Sequence, residues 1–309
     1  MAGIVVCEFL DEPYLQRLRS QHDVEYDPAL YADRPKLLVA LADARAIIVR
    51  NRTRVDAQLV TNSPNLQVVG RLGVGLDNID LDACAAAGVE VRPASGANAV
   101  SVAEFVIGAM LVLMRPVYGM TAAMAAGGWP SRGGAFGSEL SGKTLGLLGF
   151  GTIARLVASR AAAFEMRIVA HDPFIPPGDE AWGGSENVSF DDLLAQADVL
   201  SLHARLNDLT RNLIDVRALA RMKPTAILIN TARGEIVDED ALASALRAGT
   251  IGGVALDVFS HEPLPAKAAS RFAHLENVLL TPHVAGSAGE AVHRVASMTV
   301  DSVLEVLRG

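Results

Sequence analysis

The sequence predicts an α/β protein built from two parallel-sheet domains, one of which is inserted into the other. Short runs rich in Val, Ile and Leu alternate along the chain with helical patterns, which indicates repeated β-α-β units. The runs are almost wholly apolar, as expected when helices cover both faces of a sheet. The chain has 309 residues, half of them hydrophobic, which is enough for two cores because one core stops growing near roughly 250–300 residues.

The predicted strands form two series along the chain. The first series comprises Ile4–Val6, a weaker Val24–Tyr26, Ala46–Arg50, Gln67–Arg71 and Val89–Arg92. The second comprises Thr144–Leu148, Arg167–His171, Asp198–His203, Ala226–Asn230, Gly253–Val258 and Val278–Thr281.

The last helical pattern, from about Ala288 to Leu307, predicts how the domains are connected. It follows a second series that is already self-contained, so we expect this helix to return to the first domain. The predicted domains are residues 1–97 with 286–309, and residues 98–285. Ligands of open parallel sheets bind beyond the carboxyl ends of the strands, so we expect the active site in the cleft between the domains.

A long helix is predicted between the two series. Ser101 and Glu104 have the spacing of a capping box, in which each side chain bonds the other residue's backbone amide, so we expect the helix to start at Ser101. Pro116 should interrupt or kink it. A glycine-rich stretch, residues 127–137, follows and contains Trp129 and Arg132.

Composition restricts the class of partner. Lys and Arg number 27 against 35 Asp and Glu, a net charge of −8, which disfavours nucleic acid and anionic membrane surfaces. The N-terminus lacks the pattern of a signal peptide, and the longest apolar run, Val102 to Met114, is too short to span a bilayer. Cys7 and Cys84 are expected to be reduced, buried thiols. We therefore expect a soluble, cytoplasmic protein.

A dinucleotide fingerprint follows the first strand of the second series. In Gly149-Phe-Gly151-Thr-Ile-Ala154, Gly149 permits the tight turn, Gly151 lets the backbone approach a pyrophosphate, and Ala154 allows close helix packing. Asp172 ends the next strand, where a carboxylate accepts hydrogen bonds from ribose hydroxyls and repels a 2′-phosphate. No Arg or Lys follows Asp172 directly, so the sequence predicts NAD rather than NADP as the cofactor.

Polar side chains follow three later strands of the second series. They supply a guanidinium from Arg233, carboxylates from Asp257 and Glu262, and an imidazole from His283. Hydride transfer to a 2-keto acid needs a cation that binds the carboxylate and polarises the carbonyl, and a proton donor that works near neutral pH. A carboxylate beside that donor would orient it and keep it protonated.

The chain resembles the D-isomer-specific 2-hydroxyacid dehydrogenase family, including its phosphoglycerate and sulfolactate dehydrogenases. The resemblance covers nearly the whole chain. It is carried by Gly73-Val-Gly-Leu-Asp-Asn-Ile-Asp80, Ser101-Val-Ala-Glu104, Leu140-Ser-Gly-Lys-Thr-Leu-Gly146, the fingerprint, and the segments around Arg233, Asp257 and His283. It implies two Rossmann-like or flavodoxin-like domains, with the NAD-binding domain inserted into the substrate-binding domain.

The resemblance also implies roles for individual residues. Arg233 would bind the substrate carboxylate and carbonyl, His283 would exchange the proton, and Glu262 would hold the imidazole, whose pKa should be raised. Main-chain amides of Val74 and Gly75 would bind the other side of the substrate carboxylate. The implied cofactor-binding residues are Gly149, Gly151, Thr152, Ile153, Asp172, Ala204, Thr231, Ala232, Asp257, His283 and Gly286.

Two positions depart from the family pattern. Thr152 stands where relatives often carry an arginine that touches the pyrophosphate, and Ala204 stands where a threonine is common. The resemblance further implies a homodimer built by the long helix and the arm after it, with Trp129 and Arg132 near the neighbouring subunit's cleft.

Substrate identity depends on the stretch Val49-Arg50-Asn-Arg52-Thr-Arg54. Arg50 matches a position that binds the far end of the substrate in phosphoglycerate dehydrogenases, and Arg52 and Arg54 share its face if the strand continues. Such a cluster suits an anionic C3 substituent, as in 3-phosphoglycerate or 3-sulfolactate. If Arg52 and Arg54 are only solvated charges, glyoxylate or hydroxypyruvate reduction is the simpler assignment.

Several alternatives remain open at this point. His261 is a rival proton donor, and His203 is expected to be structural. Asp77 and Asp80 are expected to brace a loop and to cap the helix that starts near Leu81, so no metal site is predicted. Other functions of the same scaffold are an NAD(H)-sensing binding protein related to co-repressors, and hydride transfer from formate or phosphite.

Overall fold

The computed structural model describes residues 3–129, 137–275 and 277–308. The chain divides into two compact units, residues 1–98 with 287–309 (unit 1) and residues 99–286 (unit 2). These boundaries differ by one residue from the predicted domain boundaries. Each unit contains one parallel sheet with helices packed on it, which confirms the predicted α/β fold class.

Unit 1 contains a five-stranded parallel sheet in the order β2-β1-β3-β4-β5. Its strands are β1 (Ile4–Val6), β2 (Val24–Tyr26), β3 (Ala46–Val49), β4 (Val68–Arg71) and β5 (Glu90–Pro93). Its helices are α1 (Glu12–Arg19), α2 (Arg34–Leu41), α3 (Ala57–Thr61), α4 (Leu81–Ala86) and α12 (Gly289–Arg308), with a 3-10 turn at Leu30–Ala32.

The unit 1 sheet is covered on both faces. Val5, Ile47 and Val69 pack in one apolar cluster, whereas Ile4 and Ile48 pack in the other, because successive side chains of a strand point to opposite faces. Helix α12 contributes its apolar side to the second cluster, as expected for a helix that returns to the first domain. Fully burying each such side chain contributes about 1.5–3 kcal/mol to folding.

Unit 2 contains a seven-stranded parallel sheet in the order β12-β11-β10-β9-β6-β7-β8. Its strands are β6 (Thr144–Leu148), β7 (Arg167–His171), β8 (Glu186–Asn187), β9 (Val199–Leu202), β10 (Ile227–Asn230), β11 (Gly253–Leu256) and β12 (Val278–Leu280). Its helices are α5 (Ala99–Met114), α6 (Thr121–Ala125), α7 (Thr152–Ala162), α8 (Phe190–Gln196), α9 (Val216–Arg221), α10 (Glu239–Ala248) and α11 (Ala266–Ala269). Shorter 3-10 turns lie at Pro116–Met120, Glu180–Trp182, Gly234–Ile236 and Ser270–Phe272.

The register of the unit 2 sheet places the chemistry-bearing residues at one edge. Asn230 pairs with Leu256, and Leu256 pairs with Leu280, so the segments after β10, β11 and β12 begin side by side. Leu148 likewise pairs with both Leu202 and His171. The fingerprint and the polar segments therefore all follow the carboxyl ends of parallel strands, where such sheets bind ligands.

One expectation about local structure was wrong, and the condition attached to another is not met. Helix α5 begins at Ala99, so Ser101 lies inside the helix and is buried, and the proposed capping box does not form its N-terminus. Glu104 instead lies 3.8 Å from Arg160 on α7. Strand β3 ends at Val49, so Arg50, Arg52 and Arg54 do not extend from it along one face.

Helix α5 packs into the core of unit 2 through Ala103, Val106 and Met110. Among the described residues, no single helix is long and apolar enough to cross a membrane. Helix α5 and the stretch Pro116–Ala125 pass that test only as a pair, and the pair is bent by 77°.

Candidate active site

The turn after β6 can be made only by glycine. Gly149 has a φ of +83°, a conformation that residues with a side chain rarely adopt. A Cβ atom on Gly149 would lie 2.8–3.0 Å from the backbone of His203 and Ala204. The β6 turn therefore passes against the segment after β9, and both line the same edge of the sheet.

The N-terminus of α7 is open to a ligand. A Cβ atom built on Gly151 meets no described atom within 4 Å, and no described side chain caps the helix at this residue. The first residues of α7, Thr152 and Ile153, are exposed and half-buried respectively, and they start a helix of 11 residues. Free N–H groups and the partial positive charge of a helix N-terminus suit the pyrophosphate of a dinucleotide.

Asp172 is fixed beside this turn by two backbone amides. Its Oδ2 accepts a hydrogen bond from the Phe150 N–H at 2.9 Å, and its Oδ1 accepts one from the Phe174 N–H at 3.0 Å. Each carboxylate oxygen can accept a further bond, as the hydroxyls of an adenosine ribose require. The residues of unit 2 thus fit the NAD site that the sequence predicts.

His283 and Glu262 form a direct pair. The His283 Nδ1 lies 2.7 Å from the Glu262 Oε2, while the Phe259 N–H donates to the Glu262 Oε1 at 3.0 Å. The bond to Glu262 raises the pKa of His283 above its ordinary value, against the opposing effect of burial. Burial alone would raise the pKa of Glu262, but its bonds from His283 and Phe259 lower it. The pair therefore favours an imidazolium facing a carboxylate.

Asp257 holds the segment that carries His283. This carboxylate is 1% exposed. Its Oδ1 accepts from the Thr281 hydroxyl at 2.6 Å and the Val284 N–H at 2.8 Å, and its Oδ2 accepts from the Ala285 N–H at 2.8 Å. His283 adopts a positive φ of 56°, which persists only where surrounding bonds determine it. Asp257 thus positions His283, a role that sequence reasoning did not assign to it.

Arg233 is presented by a turn built around a buried asparagine. Asn230 is fully buried, donates to the Arg233 carbonyl at 2.8 Å and accepts from the Ala232 N–H at 3.0 Å. Gly234 follows, and a Cβ there would collide with the backbone of Phe259 at 1.9 Å. The charge of Arg233 acts to lower the pKa of both Glu262 and His283, so these three groups form one electrostatic unit.

Thr231 provides a further observation that fits a bound cofactor. Its Oγ1 is buried and has no hydrogen-bond partner among the described residues. Buried hydroxyls without partners are rare in proteins, because each costs free energy. Thr231 lies at the same sheet edge as the fingerprint, which fits the prediction that it lines the cofactor path.

His203 and His261 differ from His283. Burial lowers the pKa of His203 to about 4, and its Nε2 lies 2.9 Å from the Ser201 hydroxyl, which is a structural arrangement. His261 is exposed, and no hydrogen bond of its side chain connects it to Glu262. The geometry in unit 2 therefore selects His283 over His261 as the partner of Glu262.

The predicted substrate-binding residues of unit 1 lie on two loops. The Arg50–Thr53 loop follows β3, with Arg50 half-buried and Arg52 exposed. Val74 is 38% exposed and Gly75 is half-buried in the loop after β4. At the end of that loop, Asp80 caps α4 by accepting from the Ala83 N–H, as predicted.

The remaining predicted residues lie in loops or beside a gap in the described chain. Ala204 and Gly286 are half-buried in loops after β9 and β12. Trp129 is 86% exposed at the end of the described arm, and Arg132 lies outside the described residues. Within residues 3–129, 137–275 and 277–308, no group of three or more His, Cys, Asp or Glu side chains could hold a metal ion.

Comparison with known proteins agrees with this geometry. Residues 107–285 match the model of the D-isomer specific 2-hydroxyacid dehydrogenase NAD-binding domain. The chain is 48% identical to the (S)-sulfolactate dehydrogenase of Chromohalobacter salexigens over 99% of both chains. It is 43% identical to the D-3-phosphoglycerate dehydrogenase of Mycobacterium leprae over 90% of this chain, but spans only 52% of that protein.

A solved structure shows the same fold. The D-lactate dehydrogenase of Aquifex aeolicus, complexed with NAD and lactic acid, superposes with a TM-score of 0.88 and 28% identity. The alignment covers 99% of this chain and 95% of that one. On the strength of the matched domain and of these relatives, the chain belongs to the D-isomer-specific 2-hydroxyacid dehydrogenase family, and it is an NAD-dependent oxidoreductase.

Proposed function

We propose that this dehydrogenase interconverts (S)-3-sulfolactate and 3-sulfopyruvate, a substrate pair that carries an anionic group on C3. The observation that carries the proposal is the 48% identity to a sulfolactate dehydrogenase, which extends over 99% of both chains. The Arg50–Thr53 loop supports it, since guanidinium groups bind sulfonate and phosphate oxygens through paired hydrogen bonds. The 43% identity to a phosphoglycerate dehydrogenase points to the same class of C3-anionic acid.

The stereochemistry of sulfolactate agrees with a D-isomer-specific enzyme. Sulfur outranks oxygen in the priority rules, so the sulfonate-bearing C3 takes precedence over the carboxylate at C2. The acid with the D configuration is therefore named (S), although D-lactate is named (R). A substrate of the (S) series thus has the same arrangement at C2 as the substrates of D-specific relatives.

In the proposed mechanism, Arg233 binds the C1 carboxylate and polarises the C2 carbonyl. NAD, when bound, would accept the hydride from C2 during oxidation, and NADH would return it during reduction. His283 exchanges the hydroxyl proton through Nε2, because its Nδ1 is occupied by Glu262. The amides of Val74 and Gly75 would bind the carboxylate from its other side, and Arg50 and Arg52 would bind the C3 anion.

The proposed cofactor contacts follow the geometry of unit 2. The amides of Gly151, Thr152 and Ile153 would bind the pyrophosphate, and Asp172 would bind the adenosine ribose. Thr231 would find its missing partner in the bound cofactor. The remaining contacts would come from Gly149, Ala204, Ala232, Asp257, His283 and Gly286.

The test compares four keto acids in NADH-dependent reduction by the purified protein. They are 3-sulfopyruvate, 3-phosphohydroxypyruvate, hydroxypyruvate and glyoxylate. We expect the highest kcat/KM with 3-sulfopyruvate, and 3-phosphohydroxypyruvate ahead of the two uncharged-tail acids. An equal or higher kcat/KM for hydroxypyruvate or glyoxylate would reject the C3-anion proposal. Tight NADH binding without turnover of any acid would instead indicate a binding protein of the co-repressor type.

We also propose that the enzyme is a cytoplasmic homodimer. Three large apolar residues of the arm after α5 are exposed: Tyr118 (58%), Met124 (43%) and Trp129 (86%). We expect a second copy of the chain to cover them. Cys7 and Cys84 are both free, buried thiols, which suits a reducing compartment. Light scattering on the purified protein should give twice the chain mass of 32.5 kDa, and a monomer at micromolar concentration would contradict the dimer.

A further inference from the structure

We propose that Glu8 is a positioning residue for substrate specificity, because it holds the loop that presents Arg50 and Arg52. Glu8 lies two residues after the end of β1 and is only 3% exposed. Glu8 belongs to unit 1, whereas the fingerprint and the His283 segment belong to unit 2. The inference rests on the proposed function, since it assigns the two arginines to the C3 anion of the substrate.

Four hydrogen bonds converge on the Glu8 carboxylate. Its Oε1 accepts from the Arg50 N–H at 2.7 Å, the Thr53 N–H at 3.0 Å and the Thr53 hydroxyl at 2.9 Å. Its Oε2 accepts from the Arg52 N–H at 3.2 Å. A single buried carboxylate thus satisfies three backbone amides within four consecutive residues, which fixes the path of the loop.

Thr53 anchors the Arg50–Thr53 loop to the core of unit 1. This residue is 1% exposed, and its hydroxyl also lies 3.2 Å from the Cys7 Sγ, which donates to the Ile48 carbonyl at 3.3 Å. The loop is therefore tied to β1 and β3 through side chains that are buried. Its conformation is set by the core of unit 1 rather than by solvent-exposed contacts.

The two arginines that the loop carries are available for an anion. Within the described part of the chain, Arg50 and Arg52 form no ion pair with a carboxylate, unlike Arg34, which pairs with Asp56. The Arg52 guanidinium lies 5.0 Å from the centre of the Tyr31 ring and donates to the Tyr31 hydroxyl. Tyr31 keeps the guanidinium in place without neutralising its charge.

The two oxygens of Glu8 accept different numbers of hydrogen bonds, three at Oε1 and one at Oε2, so one substitution can remove the bond to Arg52 alone. In Glu8→Gln the amide oxygen can keep the three bonds made by Oε1, but the NH₂ group then faces the Arg52 N–H, donor against donor. The variant therefore loosens Arg52 while it keeps Arg50 and Thr53 held. The matched control is Ser63→Ala, which removes a buried hydroxyl of the same unit, also 3% exposed, that donates to the Leu59 carbonyl.

Two measurements on the full chain test the proposal. Amide hydrogen exchange reports on the loop itself, and we expect exchange at Arg52 to accelerate about tenfold in Glu8→Gln, but not in Ser63→Ala. Steady-state kinetics report on specificity. We expect kcat/KM for 3-sulfopyruvate to fall about tenfold through KM, with less than a twofold change for hydroxypyruvate.

A double variant links the two effects. If Glu8 acts through Arg52, then Glu8→Gln combined with Arg52→Ala should be no worse than Arg52→Ala alone. Faster exchange at Arg52 with unchanged discrimination between the two acids would overturn the inference and leave the proposed substrate standing. A wild-type enzyme that does not prefer 3-sulfopyruvate would reject the proposed function, and the role of Glu8 in specificity with it. An equal loss in Ser63→Ala would also overturn the inference.

Discussion

The His283 segment of unit 2 and the Arg50–Thr53 loop of unit 1 are both held by a buried carboxylate, but to different degrees. Asp257, 1% exposed, fixes the backbone around His283, and Glu262 then fixes the imidazole itself. Glu8, 3% exposed, fixes the backbone of the arginine loop, whereas the Arg52 guanidinium donates to the Tyr31 hydroxyl and Arg52 remains exposed.

This difference follows from what each region is expected to do. Proton transfer requires a nitrogen held within hydrogen-bond reach of the substrate and a pKa matched to the working pH. Recognition of an anion requires positive charge, and a long flexible side chain can adjust to the ligand. We therefore expect substitutions around His283 to reduce kcat strongly, and substitutions in the arginine loop to change KM more weakly.

The largest effect is expected from His283→Gln. Glutamine keeps a polar side chain but cannot exchange a proton near neutral pH, so kcat should fall by about 10²–10⁴-fold. NADH binding, measured by fluorescence titration, should change much less. The control is His261→Gln, for which we expect nearly wild-type turnover. Equal losses in the two variants would leave His283 without its assigned role.

Asp257→Asn tests whether the backbone of the His283 segment needs its carboxylate. The new NH₂ group must face either the Ala285 N–H or the two donors at the other oxygen, so at least one donor loses its partner. Such a loss costs about 1–3 kcal/mol, and each kcal/mol lowers Tm by roughly 2–4 °C in a domain of this size. Calorimetry should show this decrease together with a reduced kcat. An unchanged Tm would mean that the carboxylate does not hold the segment.

Glu262→Gln tests how far the carboxylate of Glu262 controls the pKa of His283. Glu262 raises the pKa of His283, so its removal should return that pKa toward its ordinary value. Reduction of a keto acid needs the imidazolium form of His283 as proton donor. The rate of reduction therefore falls as pH rises through the pKa of His283 in the active enzyme. The descending limb of the pH profile should therefore move to lower pH in this variant. If the descending limb does not move, the pKa that it reports belongs to a group other than His283.

The same pair contributes to stability in a defined pH window. Because its pKa is raised on folding, His283 contributes fully to folding stability at pH values below its unfolded pKa near 6.5. This contribution is lost as pH rises through the folded pKa. Because its pKa is lowered on folding, Glu262 contributes fully to folding stability at pH values above its unfolded pKa near 4.5. This contribution is lost as pH falls through the folded pKa. The difference in Tm between wild type and Glu262→Gln should therefore be largest between these two values.

The sequence predicts the strands of this fold well because parallel strands are buried on both faces. Ten of the eleven predicted strands agree with the structure to within one residue at each end, and the other, Gly253–Val258, ends two residues earlier, at Leu256. Strand β8 was missed, because Glu186 and Asn187 are exposed polar residues whose strand conformation depends on pairing with β7. The capping box at Ser101 was wrong because a Ser-x-x-Glu pattern also occurs inside helices.

The candidate site was predictable where a residue's chemistry is visible in a motif. The fingerprint, Asp172 and the pair Glu262–His283 lie at the edge that the strand order implies. The functions of Asp257 and Glu8 as backbone acceptors were not predictable. Glu8 bonds residues 42 to 45 positions away, and a contact of that range leaves no local pattern in one sequence.

The smallest effect is expected from Arg54→Ala, and it tests where the arginine cluster ends. Arg54 follows the last residue that Glu8 holds, and its carbonyl accepts from Arg34 at 2.7 Å, while its charge acts on Asp56. Its side chain is exposed, so its removal should change kcat/KM for 3-sulfopyruvate by less than about twofold. Arg52→Ala should lower the same constant by about 10–100-fold, because a hydrogen bond to a charged group contributes about 1.5–3 kcal/mol. If Arg54→Ala matched Arg52→Ala, the specificity region would have to extend beyond the residues that Glu8 holds.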